Sequence, residues 1–151
     1  QPVVARGLVG LKEVSELNTF INSELGNVID HFYVCPHHPE MHPDVPQHAR
    51  KYRIACVCRK PAPGMLYQAS QDFGITLSES WMVGDMVTDI VAGKSAGCKT
   101  ILVASAANTR VTISATPFDA HAQADYTIKK ISEILPLLAN AKLNKKGRTP
   151  G

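Results

Sequence analysis

Residues 56 to 64 read Cys-Val-Cys-Arg-Lys-Pro-Ala-Pro-Gly. Two thiols flank one residue, two cations follow at once, and a Pro-x-Pro-Gly break closes the stretch. Thiolates at this spacing ligate soft or borderline metals. Arg59 and Lys60 suit an oxyanion, above all phosphate, because a guanidinium fork and an ammonium match its charge and geometry. The break stiffens the chain and opens a new element. A second pair lies upstream at Cys35-x-His37. Together Cys35, His37, Cys56 and Cys58 supply three thiolates and one imidazole, the donor set zinc takes in closed tetrahedral sites. The two pairs bracket a Pro- and His-rich loop that a metal would staple. Its other imidazoles, His38, His42 and His48, compete for the place, His38 most directly. Buried free thiols are the plainer alternative.

A third stretch, Gly84-Asp85-Met-Val-Thr-Asp89, follows a short apolar run and opens a helical pattern. In open α/β sheets ligands gather at the carboxyl ends of the strands. Asp85 is placed there, where oxygen ligands can hold magnesium. Asp89 lies one helical turn further on, either as a supporting acid or as a first-turn residue favoured by the helix dipole. Two cations before one helix and an acid ending the next strand make half of a phosphoryl-transfer site.

These residues need a frame. Leu11, Val14, Leu17, Phe20, Ile21 and Leu25 recur at helical spacing, and 28–34 is rich in β-branched and aromatic types, which predicts a strand. A second helix is expected from Gly64 to Gly74, a buried strand over 81–83, a helix over 87–96 and a strand over 100–104. Residues 105–124 read as irregular, 125–128 as a short edge strand and 131–139 as a last helix. Alternating strands and helices define an α/β layer fold with a parallel sheet. The chain has 151 residues and a net charge of +3, much of the excess lying in Lys142, Lys145, Lys146 and Arg148. Residues 1–139 are therefore expected to form the domain and 140–151 a basic flexible tail. The composition is that of a soluble globular protein, with neither a membrane-length apolar run nor a dominant basic face for nucleic acid. Cysteines clustered three and one do not look like a secreted disulfide framework, which makes the cytoplasm the expected compartment.

The joint pattern resembles the haloacid-dehalogenase-type phosphatases, in the branch that acts on heptose 1,7-bisphosphate and on histidinol phosphate. Cys35-Pro-His37-His-Pro, Cys56-Val-Cys58-Arg59-Lys60-Pro-x-Pro-Gly-Met and Met82-Val-Gly-Asp85-x-x-x-Asp89 carry the likeness, over roughly residues 1 to 104. The resemblance implies a Rossmann-like sheet with a zinc-stapled loop. It makes Asp85 the acid of a magnesium site, Lys60 the holder of the transferring phosphoryl group, Arg59 a substrate-recognising residue and Asp89 a supporting acid. Cys35, His37, Cys56 and Cys58 become zinc ligands. Gln1 falls at the end of a Thr-Asn-Gln segment whose polar groups touch phosphate. The implied partner is a small phosphorylated sugar, and the implied cofactors are magnesium and zinc.

The departures are equally specific. The family's nucleophile and acid/base partner lie in an Asp-x-Asp-x-Thr motif on the first strand, and no Asp-x-Asp occurs in this sequence. In the family's strand order the first two strands stand between the strand at 28–34 and that at 81–84. The chain thus reads as a fragment lacking them and, alone, as inactive. Met86 stands where relatives often carry a substrate-contacting lysine, and the zinc loop is longer than usual. A non-catalytic, zinc-stapled binding module is the competing reading.

Overall fold

The computed structural model describes residues 2–40, 44–104 and 123–146. Gln1, His42, the irregular stretch 105–122 and residues 147–151 lie outside them. The chain divides into two compact units, Gln1–Gly74 and Ile75–Gly151.

The first unit holds α1 (Pro2–Ala5), α2 (Leu11–Glu24), a 3-10 turn (Gln47–Tyr52) and α3 (Gly64–Phe73). Pro2–Ala5 form one helical turn. It packs on the 3-10 turn, burying Val4 and Ala5 against a region that includes the buried Ala49. Helix α2 forms where periodicity places it, with the Gly10 N–H donating to Glu13 Oε2 at 3.0 Å to satisfy one end group. Its apolar face is buried only at Val14, however, and Leu17, Phe20 and Leu25 are more than half exposed.

Residues 28–34 are not a strand. They carry no regular structure, and among the described residues no strand pairs with them. A strand is defined by its ladder partner, which local propensity cannot supply. Part of the missing ladder is replaced by one side chain. Asn22 donates from Nδ2 to the Ile29 carbonyl at 3.0 Å and accepts the Ile29 N–H on Oδ1 at 2.9 Å. Further along, Tyr33 donates its hydroxyl to Asp72 Oδ2 at 2.6 Å, fixing the segment to α3.

The second unit is a three-stranded parallel sheet, β1 (Trp81–Gly84), β2 (Lys99–Val103) and β3 (Tyr126–Ile128), in that order. Trp81 pairs with Lys99, and Ile101 with Tyr126. Helix α4 (Val87–Ser95) crosses between β1 and β2 and packs on both. Ile90 and Ile101 are fully buried, with Val91, Ala92 and Ile128 close to it. Asp125 ties β3 to β2, its Oδ2 accepting from the Thr100 N–H at 2.8 Å and hydroxyl at 2.9 Å while Lys94 pairs with Oδ1.

The last helix is α5 (Ile134–Lys146). It continues seven residues past 139 because 140–146 contains no helix breaker before Gly147. Among the described residues no helix is long and apolar enough to cross a membrane.

Candidate metal clip and active site

The two ligand pairs meet. Cys35 Sγ, a ring nitrogen of His37, Cys56 Sγ and Cys58 Sγ all lie within 4.8 Å of one another. The sulfurs are 3.2 Å apart for Cys35–Cys58, 3.3 Å for Cys56–Cys58 and 3.6 Å for Cys35–Cys56. His37 Nδ1 stands 3.3 Å from Cys58 Sγ and 3.8 Å from Cys35 Sγ. Zinc–sulfur bonds of about 2.3 Å in a tetrahedron separate the sulfurs by about 3.8 Å. The donor set and its spacing therefore fit a four-coordinate zinc. His38, the rival imidazole, turns elsewhere, and its Nδ1 accepts the Glu40 N–H at 3.3 Å.

The thiols show what the clip requires. Burial opposes ionisation of Cys56, but hydrogen bonds from Cys58 and Cys35 and from the Arg59 and Cys58 backbone outweigh it and lower its pKa. Cys58 moves the other way, to about 12, through burial and then its hydrogen bonds to and repulsion from Cys35 and Cys56. Ionisation is thus favoured at Cys56 and opposed at Cys58, and a cation held between them would offset the second charge.

Two contacts tie this clip to the Arg59–Lys60 turn and the helix that follows it. Arg59 donates from Nη1 to the His37 carbonyl at 3.2 Å, so the residue carrying the imidazole also holds the guanidinium. The Gly64 N–H donates to the Val57 carbonyl at 3.0 Å, seating the start of α3 under the Cys-x-Cys turn. A Cβ on Gly64 would lie 2.3 Å from that carbonyl oxygen, so a glycine is required there. Lys60 sits next to Arg59 on the same turn, before α3.

In the second unit Asp85 is exposed in the turn between β1 and α4, at the carboxyl end of a parallel strand. A hard cation can reach it there. Asp89 has another position: it is 2 % exposed, and its Oδ2 accepts the Met86 N–H at 3.1 Å. It caps the turn that presents Asp85. Gly84 makes this possible, because a Cβ there would lie 2.2 Å from Asp89 Cβ. Gly84→Ala is expected to cost about 1–3 kcal/mol by overpacking. Denaturant unfolding should show the loss, and an unchanged midpoint would refute the close-packing account.

Sequence reading missed Asn22 as a substitute ladder partner, Arg53 as a buried cation and Asp125 as the β2–β3 tie. None carries a local signal; Gly64, after a Pro-x-Pro run, did.

Residues 57–134 match the family model described as HAD-hydrolase-like. The chain belongs to this haloacid-dehalogenase-type hydrolase family. Its relatives narrow the comparison. It is 33% identical over 147 residues to the D-glycero-beta-D-manno-heptose-1,7-bisphosphate 7-phosphatase of Pasteurella multocida, covering 94% of this chain and 72% of that protein. To the enzyme of that name from Haemophilus ducreyi it is 36% identical over 104 residues, 66% of this chain and 53% of that one. The chain thus spans about half the length of the Haemophilus relative. The crystal structure of D,D-heptose 1,7-bisphosphate phosphatase from B. bronchiseptica, complexed with magnesium and phosphate, aligns with a TM-score of 0.66 at 25% identity over 93% of this chain and 71% of that one.

Proposed function

We propose that this chain serves a magnesium-dependent phosphatase that removes a phosphate from a heptose 1,7-bisphosphate. The observation that carries the reading is the clip itself: four ligand atoms within 4.8 Å, leading directly into Arg59 and Lys60. Relatives bearing the heptose bisphosphatase name support the substrate class.

Lys60 is assigned to the phosphoryl oxygens, where an ammonium offsets the charge that develops in transfer. Arg59 grips a phosphate or sugar oxygen through its fork, held by its bond to the His37 carbonyl. Asp85 is assigned as a magnesium ligand, with Asp89 fixing its turn. Bound magnesium would supply charge neutralisation at the phosphoryl group. Zinc on Cys35, His37, Cys56 and Cys58 would lock the loop that carries Arg59. Gln1 is retained as a phosphate contact by family likeness. The thiols bind metal only when reduced, which fits a reducing compartment such as the cytoplasm.

The attacking carboxylate is not among these residues, since the sequence has no Asp-x-Asp. Aspartate attack on phosphorus, followed by hydrolysis of the acyl phosphate, needs such a pair. The exposed face of α2 and the stretch 28–34, which no strand pairs among the described residues, support a further strand as the source, because both are surfaces a strand would cover.

The test is a chimera. Fusing upstream about 50 residues from the Pasteurella multocida relative, enough for two strands and a crossover helix carrying Asp-x-Asp-x-Thr, is expected to give magnesium-dependent turnover of heptose 1,7-bisphosphate. The chain as given should show none. A folded, zinc-loaded chimera without turnover would favour a non-catalytic, metal-stapled binding module, and turnover by the unextended chain would overturn the missing-nucleophile argument.

A further inference from the structure

One charged group in the first unit is used by nothing described so far. Arg53 closes the 3-10 turn Gln47–Tyr52, is only 9 % exposed, and its buried Nε has no hydrogen-bond partner among the described residues. A buried guanidinium nitrogen without a partner is unfavourable, and an anion is a group that would satisfy it. It has cationic company. The His38 N–H donates to the Tyr52 carbonyl at 2.9 Å, which places His38 beside Arg53 in the backbone. Arg6 follows α1, which packs on the same 3-10 turn. Arg59 is held to the carbonyl of His37, the preceding residue. Beside this group stands the carboxylate of Glu40, 3.8 Å from His38 Nδ1 on a side chain that is 82% exposed and so open to solvent screening.

We propose that Arg53, His38 and Arg6 form an oxyanion seat beside the metal clip, distinct from the Arg59–Lys60 pair, that receives a phosphate group. Three features suit phosphate. The Arg53 fork is held by burial, so little side-chain freedom is lost on binding. Arg6 is exposed and can close over a ligand. The imidazole can donate a further hydrogen bond. The phosphate has two sources, the non-reacting group of a two-phosphate sugar or free inorganic phosphate. The first rests on the function proposed above and would make the seat a determinant of bisphosphate over monophosphate; the second does not.

The experiment measures inorganic phosphate binding to the zinc-loaded chain by calorimetry, for the wild type and for Arg53→Gln, Arg6→Gln and Lys60→Ala. Phosphate binding that survives Lys60→Ala, is lost in Arg53→Gln and weakens at least about tenfold in Arg6→Gln is expected, a difference in affinity that calorimetry resolves. Zinc content and circular dichroism report whether Arg53→Gln has folded. If it has not, the exposed Arg6 carries the test alone. Phosphate affinity unchanged in Arg6→Gln, or in a folded Arg53→Gln, would overturn the seat. Competition then separates the sources. A sugar 1,7-bisphosphate that displaces this phosphate more strongly than the 1- or 7-monophosphate assigns the seat to substrate. Equal displacement by all three leaves a seat for free phosphate and overturns the substrate assignment. Loss of all phosphate binding in Lys60→Ala would show one site in place of two and refute the proposal, while leaving the Lys60 role intact.

Discussion

Removing the metal from the Cys35–His37–Cys56–Cys58 clip is expected to unfold the loop between the two ligand pairs. The loop has little else to hold it. Its regular structure among the described residues is one 3-10 turn, and its buried side chains are few, Val45, Ala49 and Arg53. Structural zinc contributes on the order of 10 kcal/mol to local folding, more than these contacts can replace. Protein purified without chelator should carry about one zinc per clip, as the four-ligand geometry requires. Cys58→Ala or His37→Ala should lose it, and hydrogen exchange at the amides of His38 and Ala49 should accelerate in both. His38→Ala should retain zinc, because that imidazole points away from the sulfurs. The sign of the pH dependence follows from Cys58. Metal-free, its pKa is pushed up to about 12, so the protonated thiol is favoured in the fold, and that contribution is lost as pH climbs towards 12. The metal needs the thiolate. Zinc uptake should therefore release protons, and the stability gap between loaded and stripped protein should widen from roughly pH 6 to 9. Unbuffered titration with zinc measures the protons directly. No zinc in the purified protein, with freely titratable thiols, would sink the clip.

In the chimera that supplies a nucleophile, Lys60→Ala and Asp85→Asn are each expected to cut turnover 100-fold or more, about 3 kcal/mol of transition-state stabilisation. Lys60 loses the ammonium that offsets phosphoryl charge, and Asp85→Asn removes an anionic oxygen from a hard-cation site. The two should differ in one readout, since raising magnesium concentration should partly rescue Asp85→Asn and leave Lys60→Ala unmoved. Arg59→Ala should fall harder on heptose bisphosphate than on a small aryl phosphate, because its fork recognises the sugar phosphate rather than the reacting oxygens. Near-normal turnover in either of the first two variants would remove that residue from the site.

Much of the site was legible because its chemistry is written in short spacings. Cys-x-His and Cys-x-Cys bring four metal-ligand atoms together across the intervening chain, and Arg59–Lys60 is the pair for which an anion is proposed. Gly84-Asp85 named a strand end, and β1 does end there. The helices at 11–24, 64–73 and 87–95 were legible for a similar reason, since helical hydrogen bonds close within the segment. Residues 28–34 failed as a strand because a strand's bonds are made elsewhere, and propensity cannot report whether a partner exists. Asn22, seven residues before Ile29, took up one residue of that demand through a contact no periodicity encodes.

Tertiary structure alone decided the choice between His37 and His38, adjacent residues of the same type that only the direction of a ring distinguishes. It also decided the place of Asp89. Sequence gave it one face with Asp85, but burial beside Gly84 turned its carboxylate onto the Met86 N–H, so that one acid supports the turn while the other meets solvent. Arg53 is the extreme case. In the sequence it is one arginine among several basic residues; only packing withdraws its Nε from water, and with that its charge acquires a consequence.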